Sequence, residues 1–153
     1  MILRWHQTFI RVLASLQSPF LLVIRLYWGW QFIITGKGKL ENIPKIIEFF
    51  KSLGIPLAGL NAYLVGTTEL VGGSLLLLGL GARLTAIPLI IAMTVAYLTA
   101  DLDATKALFS EPNLFAQAAP FPFLMTSLIV LIFGPGMFSV DTLIGRILKR
   151  KHH

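Results

Sequence analysis

The chain has no cysteine. That single absence removes disulfides, thiolate metal sites, iron–sulfur ligation and thiol-dependent quinone chemistry. Charge is scarce as well. Asp, Glu, Lys and Arg make up 13% of the 153 residues, against roughly 25% in soluble domains. So few charges cannot cover a soluble surface, and a lipid bilayer is the expected solvent. There are three histidines, none of them within an apolar run. His6 lies near the N-terminus, and His152 and His153 form a tail. No metal site is expected, and haem, copper and flavin lack obvious ligands. The glycine-containing "GLGAR" (Gly79 to Arg83) follows an apolar segment rather than a strand, so it is not read as a dinucleotide fingerprint. No unbroken apolar stretch with a small-residue cleavage site follows Arg4 and Arg11, so no removed signal peptide is expected.

What is present is hydrophobicity, 56% of the residues, with a formal charge of +6. A bilayer core needs roughly 20 apolar residues, with about 17 as the lower end. Four segments qualify: residues 19–36, 57–80, 84–100 and 118–134. The expected fold class is therefore all-α, a polytopic membrane protein built as one antiparallel four-helix transmembrane bundle. The few residues around Arg83 force spans two and three into a hairpin. Amphipathic helices flank the spans. In residues 1–18, Arg4, Gln7, Thr8, Arg11, Ser15 and Ser18 recur at steps of three or four, opposite Ile2, Trp5, Phe9, Leu13 and Leu16. That pattern suits an interfacial helix. Ile43 to Pro56 is a second such piece, in the first outer loop. Residues 139–150 are a third, with Ser139 as its cap.

Basic residues gather on the cytoplasmic side of membrane proteins. With both termini cytoplasmic, seven Lys and Arg lie inside (Arg4, Arg11, Arg83, Arg146, Lys149, Arg150, Lys151) and five outside (Lys37, Lys39, Lys45, Lys51, Lys106). This bias predicts a multi-pass protein of the cytoplasmic membrane, both ends inside, and accounts for the basic balance without nucleic acid as a partner.

Two charges fall well inside spans, Arg25 and Glu69. An isolated carboxylate in hydrocarbon is so costly that it must pair, face water or bind a proton. Measured from the expected cytoplasmic ends, Arg25 stands about 9 Å above Pro19 and Glu69 about 16 Å from Leu80, at 1.5 Å per residue. Gly29 and Gly36 on span one, and Gly66 and Gly73 on span two, would let the two backbones approach closely. The expectation is a buried Arg25–Glu69 ion pair. Trp28, Gln31, Thr67, Thr68, Thr94, Tyr97, Thr126 and Ser127 reach similar depth and would form a polar cluster if they face inward. Lys37, Lys39, Asp101 and Asp103 are placed on an outer rim.

The segments "RLYWGWQFIITGKGK", "GIP", "ELVGGSLLLLGLGAR" and "GPGMFSVD", in this order and spacing from Pro19 to Asp141, resemble the DoxX family of small four-span bacterial and archaeal membrane proteins. Relatives are named for subunits associated with a terminal quinol oxidase and with thiosulfate:quinone oxidoreductase. The resemblance implies a midplane cavity holding a quinone-like molecule, with Arg25, Glu69 and Tyr97 as polar contacts and Trp28, Gln31 and Thr94 beside them. It implies no intrinsic cofactor, and an oxidoreductase-associated subunit rather than a self-sufficient enzyme, working with a redox-subunit partner or as a homo-oligomer. Two other readings stand beside it: a structural or assembly subunit without ligand, and a small-molecule permease.

Overall fold

Gly29 and Gly36, one heptad apart, let the longest helix meet its neighbour backbone to backbone. In the computed structural model the described residues are 2–150, with the side chains of 6, 7 and 9–150. Helix α1 runs Ile2–Glu41 without interruption through Pro19. The segments expected as an interfacial helix and a first span are thus one element of 40 residues. The side chains of Ile2, Arg4, Trp5 and Thr8, on which part of the amphipathic pattern rests, lie outside the described set, as do those of His152 and His153.

A turn at Asn42 leads into α2 (Ile43–Ser52), with Pro44 in its first turn, where a missing N–H costs nothing. Gly54 (φ +72°) and Leu57 (φ +48°) bend the chain back into α3 (Ala58–Leu78). A Schellman turn ends α3: the Leu80 N–H bonds the Leu75 carbonyl and the Gly79 N–H the Leu76 carbonyl, at 3.0 and 3.1 Å. Gly79 and Gly81, at φ +68° and +55°, make this reversal possible. Helix α4 (Ala82–Thr99) follows and continues through Pro88. Two short helices, α5 (Leu102–Lys106) and α6 (Pro112–Gln117), lie between the third and fourth expected spans. Helix α7 is Phe121–Phe133, shorter than the segment 118–134 read from the sequence. Helix α8 is Val140–Arg150, and Ser139 caps it by accepting the Thr142 N–H at 3.2 Å. Among the described residues there is no strand.

α1 packs along α3, α4 packs along α7, and contacts of α3 with α4 and of α1 with α7 link the two pairs. The core holds Phe32, Leu76, Ala82, Leu89, Met93 and Val130. The surface is inverted relative to a soluble protein. Val23, Leu26, Trp30, Ile34, Leu64, Val71, Leu84, Ile91, Leu98 and Ile132 are exposed, while Arg25, Glu69, Thr85, Thr126 and Ser127 are buried. Two helices, α1 and α4, are long and apolar enough to cross a membrane. Helix α3 is long enough, at 21 residues, but carries Asn61 and Glu69.

The glycine seams fix the register of α1 on α3. A Cβ on Gly36 would stand 2.4 Å from the Leu70 nitrogen and 2.8 Å from the Gly66 carbonyl oxygen. A Cβ on Gly29 would meet Leu77, and one on Gly73 would meet the Gly29 carbonyl oxygen at 2.8 Å. Gly36 therefore sits level with Glu69. Arg25 is eleven residues away along α1, about 16 Å, whereas Lys39 is only about 4.5 Å further along.

Candidate functional site

This register overturns the expected Arg25–Glu69 pair. The Glu69 carboxylate, 2% exposed, is paired through Oε2 with the Lys39 ammonium. Arg25, 1% exposed, lies at the opposite end of the helices. Its Nε donates to the Leu76 carbonyl at 3.0 Å, and its Nη2 donates to those of Leu77 and Phe138, each at 3.2 Å. Its Nη1 donates to the Pro135 carbonyl. The guanidinium is held by four carbonyls, not by a carboxylate. Two of them belong to the last turn of α3, where orphan carbonyls and the helix dipole favour a cation. Lys39, placed by sequence on an outer rim, is the true partner of Glu69.

Asp141 completes the Arg25 end. Its carboxylate accepts the N–H groups of Gly81 (2.7 Å) and Ala82 (3.1 Å), at the positive end of α4, and its own N–H reaches the Gly79 carbonyl at 3.0 Å. "GPGMFSVD" thus returns to the α3–α4 turn and closes this end of the protein. A Cβ on Gly79 would lie 2.7 Å from Arg25 Nη2, so a side chain there would displace the guanidinium.

Around Lys39 and Glu69 the molecule is open. A cavity of about 570 Å³ lies under α2, between α1, α3, α4 and the start of α7. Phe49, Phe50 and Ile55 line its α2 side, Val65 the α3 side, Met93 and Ala96 the α4 side, and Phe123 the α7 side. Glu69 and Lys39 line it from within, and Asp101, Asn61, Thr35 and Thr99 add polar groups. An apolar cavity of this size with a few placed polar groups is the usual form of a small-molecule site.

Of the six residues read as ligand contacts, Glu69 alone lines the cavity. Arg25 is committed elsewhere. Trp28 is half-buried and packs edge-on against the cavity residue Phe123, centroids 5.2 Å apart. Gln31 is half-buried, and Thr94 is exposed on the outer side of α4. Tyr97 is buried, stacks on Phe115 at 4.3 Å and donates its hydroxyl to the Phe115 carbonyl at 2.7 Å. Of the four rim residues, Lys39 and Asp101 line the cavity, while Lys37 and Asp103 are exposed. The polar cluster does not form. Thr67 is exposed and Thr68 half-buried, and Ser127 bonds the Phe123 carbonyl of its own helix at 2.9 Å. No three His, Asp or Glu side chains converge among the described residues.

The DoxX family model matches residues 20–102, more than half of the chain. The chain belongs to the DoxX family. It is also similar to the "Uncharacterized membrane protein Rv3486" of Mycobacterium tuberculosis, 33% identical over 86% of this chain and 85% of that protein. A Bacillus subtilis relative, named "Putative oxidoreductase CatD", is 28% identical over 78% of this chain and 83% of its own length. An uncharacterized protein of Haemophilus influenzae is 26% identical over 86% of this chain. No solved structure matches. Family membership, the inverted surface and the two long apolar helices together make this a DoxX-family membrane protein.

Proposed function

We propose that the chain is an accessory subunit of a membrane redox system and holds a quinone-like lipophilic molecule in the cavity beside Lys39 and Glu69. In this reading α1, α3, α4 and α7 form a four-span bundle in the cytoplasmic membrane, with both termini inside and the cavity toward the outer face. The observation that carries it is the cavity itself: aromatic and aliphatic walls around the ion pair of Lys39 and the buried Glu69. The apolar walls suit a ring and its tail, and the ion pair suits ring oxygens. The oxidoreductase named among the relatives supports a redox setting. The chain's own residues supply binding and orientation, and a partner subunit supplies the electrons.

Photolabelling in lipid nanodiscs tests this. An azido-quinone with a short tail should modify peptides from residues 49–61 and 92–101, and unlabelled quinone should compete. Labelling confined to the outer surfaces of α1 and α4, without competition, would refute the site.

A further inference from the structure

Most polar side chains that line the cavity keep unused hydrogen-bond acceptors, while much of their donor capacity is spent within the protein. A backbone carbonyl can only accept, so each side chain bonded to one has donated its proton. Thr35 donates its hydroxyl to the Phe32 carbonyl at 3.1 Å. Thr99 donates to the Val95 carbonyl at 2.7 Å. The Asn61 amide donates one N–H to the Pro56 carbonyl at 2.7 Å, which leaves its oxygen and its second N–H without a bond among the described residues. The backbone N–H groups of Leu53, Gly54 and Ile55, on the α2 side, all turn back to carbonyls of their own segment. The two carboxylates have no proton to give when ionised. Glu69 is bonded through Oε2 alone, and Asp101 has no side-chain bond among the described residues. Against these acceptors stand few donors: the Lys39 ammonium, with one of its three N–H groups given to Glu69, and the second N–H of the Asn61 amide.

Resting on the quinone-like reading above, we propose that this cavity selects the reduced, dihydroxy form of its ligand over the oxidised form. A hydroquinone hydroxyl can donate to Glu69 or Asp101 and accept from Lys39 at once. A quinone carbonyl has only lone pairs. It can accept from Lys39, but it then places oxygen against oxygen at the carboxylates and brings no proton to the unbonded oxygens of Glu69 and Asp101. A site whose buried polar groups demand a hydroxyl rejects the analogue that lacks it. The consequence is directional: the protein would present reduced ligand to its partner, or withdraw it from a partner that reduces quinone.

The test uses the full chain in nanodiscs and three probes of equal tail: decyl-hydroquinone kept reduced under anaerobic conditions, decyl-quinone, and the dimethyl ether of the hydroquinone. Binding is read by titration calorimetry. The hydroquinone should bind at least about tenfold more tightly than either other probe. Glu69→Gln supplies an N–H where the carboxylate stood and should bring hydroquinone and quinone within about threefold. Asp101→Asn, at the less buried wall, should narrow the gap in the same direction, and its melting temperature reports that it is folded. Equal or tighter binding of the quinone overturns the selectivity and leaves the ligand site standing. Binding of none of the three overturns both.

Discussion

The two ends of the molecule bury charge to the same degree and use it in opposite ways. Arg25 is 1% exposed and Glu69 2%. The guanidinium is surrounded by four carbonyls from α3 and the loop after α7, and Asp141 sits close by on the facing helix start. Nothing there is left for a ligand. The Glu69 carboxylate has one partner, on a side chain still 27% exposed, and faces a cavity. Burial of a charge is therefore a poor guide to function by itself. What separates a staple from a site is whether the protein has already satisfied the group.

The largest expected effect breaks the closed end. Arg25→Leu leaves four carbonyls without their donor and releases the 134–139 loop from the α3–α4 turn. We expect a loss of about 3–5 kcal/mol, the scale for disrupting a buried charge network. Arg25→Lys should recover little, because an ammonium cannot span four carbonyls with a planar fork. Thermal unfolding in detergent, followed by monodispersity, reads both variants.

A second change attacks the register that keeps the ends apart. Gly36→Ala drives a Cβ to within 2.4 Å of the Leu70 nitrogen, on a backbone that cannot step aside cheaply. The expected cost is about 1–3 kcal/mol, as α1 lifts from α3. Gly38→Ala is the control, since no atom lies within 4 Å of its added carbon. It should be neutral or slightly stabilising, as Ala is the better helix former. Equal melting temperatures for the two variants would mean that the glycine seam does not set the register.

The helical class and the close approach of α1 and α3 were legible in the hydropathy and in the paired glycines. The correct charge pairing was also within reach. Gly29 and Gly36 are spaced as Gly66 and Gly73 are, so antiparallel packing matches Gly36 with Gly66 and Gly29 with Gly73. That match already leaves Lys39 nearer in height to Glu69 than Arg25, by about 3 Å at 1.5 Å per residue, and the observed register, with Gly36 level with Glu69, widens the difference. Counting depth from expected span ends gave the wrong partner because α1 has no break at Pro19 and runs on past Gly36 to Glu41. The role of Arg25 was less accessible. It depends on carbonyls at a helix end and in a loop more than 100 residues away in sequence, and no side-chain pattern announces them. The cavity could not be read either, because it forms only when α2 folds back over the ends of α1, α3 and α4.

At the open end, smaller effects are expected, since water and lipid can relax around the pair. Lys39→Met leaves Glu69 without a counter-charge and should destabilise more than the double variant Lys39→Met with Glu69→Leu. The coupling should be on the order of 1–2 kcal/mol. Both variants should lose azido-quinone labelling. If the double variant melts no higher than Lys39→Met alone, the pair is not energetically coupled, and the contrast between a satisfied end and a poised one fails.

The smallest effect sharpens the closed end. Asp141→Asn keeps the shape of the side chain and one acceptor for the Gly81 and Ala82 N–H groups, but removes the charge that complements the start of α4. The expected loss is about 0.5–1 kcal/mol, the range for a carboxylate at a helix N-terminus. The same substitution removes the one carboxylate acting on Arg25 among the described residues, yet the four carbonyl bonds remain. Unfolding of Asp141→Asn should therefore fall far short of the Arg25→Leu loss, and hydroquinone binding at the other end should not change. A loss as large as that of Arg25→Leu would mean that the guanidinium is held by the opposite charge after all, and that the carbonyls only fill in around it.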